Sequence, residues 1–67
     1  GYGLDDKAMV GQLIEDYEVI IAELRSGVKE AEAAGDDSTA DMFIAYIKDT
    51  EKDVWMLQAY LGNEVSK

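Results

Sequence analysis

Carboxylates are the side chains of this sequence that could attract or bind a metal ion. The 67 residues include 15 Asp and Glu but no His and no Cys. Hard oxygen ligands without an imidazole or a thiolate hold metals weakly unless several converge. We therefore interpret the closely spaced Glu15, Asp16 and Glu18 as a solvated helix face rather than a metal cluster. The sequence also lacks a phosphate-binding loop and an activated nucleophile, so independent enzyme activity is the function that it favours least.

A second group of carboxylates, Glu32, Asp36, Asp37 and Asp41, surrounds the predicted start of a helix. Asp36 or Ser38 is expected to cap this helix, and Asp41 in its first turn complements the helix dipole. If symmetry brought several copies together, the same carboxylates would concentrate negative potential and draw in hydrated cations. The two roles are compatible, and the residues leave both open. Asp37 and Asp41, one helical turn apart, are the better candidates for attracting cations.

Two helices are predicted to position these groups. The sequence contains no Pro, and it is rich in Ala, Leu, Glu, Lys and Met, which favour helix. The first helix should span about 6–34 and the second about 38–61, joined by a turn at about 35–37 and followed by a short tail over 62–67. Gly35 is placed to end the first helix in a left-handed conformation, and Gly62 and Asn63 are placed to end the second. The prediction is an all-α, antiparallel two-helix hairpin.

Apolar residues at helical spacing predict which faces pack together. On the first helix the main stripe is formed by Met9, Leu13, Ile20, Leu24, Val28 and Ala31. Neighbouring residues widen this stripe: Val10, Ile14, Tyr17 and Ile21. On the second helix, steps of four and three residues predict a seam against the first helix, composed of Phe43, Ile47, Thr50, Val54, Leu57 and Leu61.

Further large side chains on the second helix lie outside this seam. They form a second stripe and part of a third: Met42, Tyr46, Met56 and Tyr60, then Ile44 and Trp55. A two-helix chain cannot cover all of these faces, so association with more helices is expected.

Composition restricts the environment and the partners. A net charge of −9 repels phosphate backbones, which argues against direct DNA binding by these residues. No apolar run approaches the roughly 20 residues that span a bilayer, and no signal peptide is recognisable, so a soluble, cytoplasmic protein without membrane contact is expected. A chain of this size has a marginal core, and without a disulfide or structural zinc we expect oligomerisation to stabilise it.

Short motifs extend along nearly the whole chain in a defined order. In the second half they are Gly35, Thr39-Ala40-Asp41-Met42, Glu51-Lys52, Trp55-Met56-Leu57 and Leu61-Gly62. In the first half they are Met9-Val10, Leu13-Ile14, Asp16-Tyr17-Glu18 and Leu24-Arg25. In order and spacing, the sequence resembles the C-terminal half of the Dps-type mini-ferritins, the DNA-protecting branch of the ferritin-like superfamily.

This resemblance implies a fold and a function. The hairpin would be half of a ferritin-like four-helix bundle, in a protein whose subunits form a twelve-subunit shell that oxidises ferrous iron and stores the ferric mineral. The family's ferroxidase ligands lie on the first two helices, which have no counterpart here, so the resemblance assigns this chain no catalytic and no cofactor-binding residue. It does imply that Glu32, Asp36, Asp37 and Asp41 line an acidic three-fold pore and bind cations transiently.

The implied partners are ferrous iron and other protein chains. The chain would form a homo-oligomer or co-assemble with the missing N-terminal half, and it would supply bundle scaffold, shell contacts and cation entry. A second hypothesis needs no iron chemistry. In that alternative, the acidic hairpin self-associates into a four-helix bundle and acts as a structural or interaction module.

Overall fold

The computed structural model describes residues 4–65 of the chain, and the side chains of residues 6–62. The described part consists of two long helices, α1 (Leu4–Ala33) and α2 (Asp37–Val65), and contains no strand. The principal-axis extents are 50 × 15 × 13 Å, as expected for two helices of this length side by side, at about 1.5 Å per residue. The predicted all-α hairpin is therefore confirmed.

A tight turn connects the helices and reverses the chain. Gly35 has a φ of 73°, a left-handed conformation that only glycine adopts without strain. Its N–H donates to the carbonyl oxygen of Glu32 at 3.0 Å, and the N–H of Asp36 donates to that of Ala31 at 2.8 Å. This pair of hydrogen bonds is the Schellman motif, which satisfies carbonyl groups at the end of α1.

The seam between the helices contains small and β-branched side chains. The side chains buried there are Ile14, Ala31, Ala40, Ile47 and Val54. The predicted seam of α2 is confirmed, because Ile47 and Val54 are buried and its other members are half-buried: Phe43, Thr50, Leu57 and Leu61.

The prediction for α1 was wrong about which residues face α2. Met9, Leu13 and Ile20 of the predicted main stripe are exposed, by 69%, 40% and 45%. The residues expected only to widen this stripe lie in the seam instead: Val10, Ile14, Tyr17 and Ile21. Leu24, Val28 and Ala31 do face α2, as predicted.

A close approach between the helices occurs at Gly27 of α1. A Cβ atom built on Gly27 would lie 2.8 Å from Cε2 of Phe43, closer than real Cβ contacts allow. Gly27 therefore leaves room for the ring of Phe43.

The bounds of the helices also differ from the prediction. α1 begins at Leu4 and ends at Ala33, whereas α2 begins at Asp37 and continues to Val65. The predicted tail over 62–67 is thus helical as far as Val65, and its last two residues lie outside the described part. Gly62 does not end the helix, because an interior glycine costs only about 1 kcal/mol relative to Ala. Among the described glycines only Gly35 has a positive φ.

Large apolar side chains remain exposed on both helices: Met9, Leu13, Val19, Ile20, Met42, Ile44, Tyr46, Trp55 and Met56. This confirms that two helices cannot cover the outer stripes of α2, although Tyr60 is half-buried. Each such side chain forgoes part of the about 1.5–3 kcal/mol that full burial would contribute. Across the described residues, no helix combines the length and apolarity needed to cross a bilayer.

Candidate functional site

The four candidate carboxylates all lie at the turn end of the hairpin. Glu32 is in the last turn of α1, Asp36 lies between the helices, Asp37 is the first residue of α2, and Asp41 follows one turn later. All four are exposed. The structure therefore collects on one end of the molecule the residues that the sequence singled out. We call this end the acidic turn.

Asp36 caps α2, which settles one alternative that the sequence left open. Its Oδ1 accepts a hydrogen bond from the backbone N–H of Thr39 at 3.1 Å, and its Oδ2 accepts one from the Thr39 hydroxyl at 2.6 Å. The hydroxyl bond and then the backbone bond lower the pKa of Asp36 below its ordinary value of 3.8. The cap is therefore Asp36 and not Ser38.

Sequence reasoning overlooked Thr39 as the partner of the cap. Its position three residues after Asp36 is the N3 position, where a side chain can interact with the capping residue. The spacing Asp-x-x-Thr was therefore a usable signal. Because both oxygens of Asp36 accept bonds from Thr39, this carboxylate is less available to a cation than its neighbours.

The other three carboxylates of the acidic turn are open to solvent. Within the described part of the chain, Glu32, Asp37 and Asp41 form no side-chain hydrogen bond and no ion pair. The helix dipole stabilises the charged forms of Asp37 and Asp41 by a few tenths of a kcal/mol. Their mutual repulsion at i, i+4 spacing is destabilising by a similar amount. Their negative charges therefore act on any ion or protein that approaches this end of the hairpin.

A single chain does not assemble a chelating site from these groups. Among the described residues, no three Asp, Glu, His or Cys side chains are arranged to hold a metal ion. The mid-helix carboxylates Glu15, Asp16 and Glu18 are exposed, and Asp16 Oδ1 accepts a hydrogen bond from Gln12 Nε2 at 3.0 Å. The acidic turn can attract cations electrostatically, and firm coordination would need ligands from elsewhere.

An interhelical ion pair lies on one side of the seam and was not predicted. Arg25 Nη2 donates to Glu51 Oε2 at 2.8 Å, linking α1 to α2. Both side chains are substantially exposed, so the pair is worth at most about 1 kcal/mol. It nevertheless places two charged side chains on this side of the hairpin.

Comparisons with known proteins agree on one family. The profile of the ferritin-like domain family matches residues 2–65. General stress protein 20U of Bacillus subtilis is 44% identical over 54 residues, covering 81% of this chain and 37% of that protein. DNA protection during starvation protein 2 of Bacillus anthracis is 35% identical over 61 residues, covering 91% and 42%.

A similar protein from Brevibacillus brevis, also named for DNA protection during starvation, is 40% identical over 53 residues, covering 79% of this chain and 36% of that protein. The chain thus spans between 36% and 42% of the length of these three relatives. No solved structure gives a significant match.

Proposed function

The chain belongs to the family of ferritin-like domains, and from this premise we propose that it is the C-terminal helical hairpin of a Dps-like iron-storage and iron-detoxification protein. In this proposal the whole protein oxidises ferrous iron and stores the ferric mineral inside an oligomeric shell in the cytoplasm. The hairpin supplies half of each four-helix bundle, contacts within the shell and an acidic entry for cations. The names of the relatives and the part of their length that the chain spans support this proposal.

The observation that carries the cation-entry role is the geometry of the acidic turn. Glu32, Asp37 and Asp41 are exposed at one end of a 50 Å hairpin and have no cationic partner within the described residues. Three such ends around a symmetry axis would form a negatively charged opening. An opening of this kind raises the local concentration of ferrous ions and speeds their entry.

The test is to remove charge from the acidic turn in the assembled full-length protein. We expect Asp37→Asn with Asp41→Asn to slow iron uptake several-fold at low salt while leaving the assembly intact, because steering by charge acts on the association rate. Iron uptake is followed by the absorbance of the ferric product, and assembly by native mass spectrometry.

A matched control removes equal charge far from the turn. Glu15→Gln with Glu23→Gln neutralises two exposed carboxylates on α1 and should leave uptake nearly unchanged. If both double variants slow uptake equally, overall charge rather than the acidic turn controls entry. If only the turn variant fails to assemble, its carboxylates have a structural role.

A second candidate function follows from the exposed apolar side chains. Two copies of the hairpin could pack these faces together as a four-helix bundle, giving an interaction module without iron chemistry. The exposure of Met9, Met56 and Trp55, between 66% and 71%, favours this alternative. The net charge of −9 on each copy opposes it.

A further inference from the structure

We draw no further inference here: the strongest candidate, the open groove between the helices that runs past Trp55, Arg25 and Lys29 on the side of the Arg25–Glu51 ion pair, carries nothing because no feature of the structure shows what covers it, and contact with further copies there would restate the shell contacts of the proposed function.

Discussion

At the residue scale, neighbouring carboxylates of the acidic turn have different roles despite their equal charge. Both oxygens of Asp36 are occupied by Thr39, whereas Asp37 and Asp41 face solvent. The first stabilises the start of α2, and the other two project charge outward. Asp37 and Asp41 also complement the helix dipole, so the test of cation attraction is whether their removal slows iron uptake without affecting assembly.

The cap makes stability depend on pH in a defined direction. Hydrogen bonds from Thr39 lower the pKa of Asp36 below 3.8, so the charged form stabilises the fold above that pH. This contribution is lost as the pH falls through the lowered pKa. Asn can also cap a helix but does not ionise, so the wild type should be more stable than Asp36→Asn at neutral pH, and the difference should shrink below pH 3.8.

Circular dichroism melts of the two proteins across this pH range measure the effect. Ser38→Ala is the control, because Ser38 does not cap the helix and its replacement should leave the pH profile unchanged. A difference between the wild type and Asp36→Asn that stays constant from neutral pH to about pH 2 would contradict the assignment.

At the element scale, the packing of α1 on α2 includes one close contact at a glycine. Gly27 lies against the ring of Phe43, where a Cβ atom would come within 2.8 Å of Cε2. Leu13 and Ile20 of α1 remain exposed beside the seam. Which apolar side chains of α1 stay exposed is thus a consequence of how the two helices fit together.

Gly27→Ala should destabilise the hairpin, although alanine is the better helix former. The added Cβ would lie 2.8 Å from Phe43 Cε2 and 2.9 Å from Cδ2, and such overpacking costs about 1–3 kcal/mol. Higher helix propensity offsets about 0.5–1 kcal/mol of this cost, so a net loss of about 1 kcal/mol is expected, within a range of about 0–2.5 kcal/mol. The measurement is the free energy of unfolding in urea.

Gly11→Ala provides the control for this substitution. A Cβ at Gly11 meets no atom within 4 Å, so this variant should gain about 0.5–1 kcal/mol. In a Phe43→Leu background, Gly27→Ala should lose its penalty, since the clashing ring is absent. Equal effects of Gly11→Ala and Gly27→Ala on the free energy of unfolding would show that an added Cβ at Gly27 is not opposed by the ring of Phe43.

At the scale of the whole molecule, charge and apolar surface have opposite effects on self-association. The hairpin has a sequence pI of about 4.1 and a net charge of −9, and yet it exposes large apolar side chains along both helices. Apolar exposure favours association, whereas like charge opposes the association of identical copies. This balance favours a partner of different composition.

Self-association of the isolated chain should therefore increase with salt. At about 0.01 M ionic strength the Debye length is about 30 Å, and at 1 M it is about 3 Å, so salt removes the repulsion between copies while the apolar faces remain. Sedimentation equilibrium at low and high NaCl concentrations measures the dimer dissociation constant. A tight dimer that is insensitive to salt would instead favour the self-associating module.

Much of the fold was predictable because the sequence signals for helix ends and for helix faces agree with one another. Gly35 and the acidic residues after it specify a left-handed helix end followed by a cap, and these features lie within a few residues of one another. The seam of α2 was also predictable, since its apolar residues repeat at steps of four and three. The end of α2 was not predictable, because the free-energy cost of Gly62 inside a helix is small relative to the gain from continuing the helix.

By itself, the sequence determined an acidic, all-helical hairpin with carboxylates gathered at its turn, because composition, capping and helical spacing act locally. Only the tertiary structure decided which apolar stripe of α1 is buried and which is left outside. Two neighbouring stripes on α1 are similarly apolar, so periodicity cannot choose between them. The choice depends on how the two helices fit together, which buries Ile14 and leaves Leu13 and Ile20 exposed.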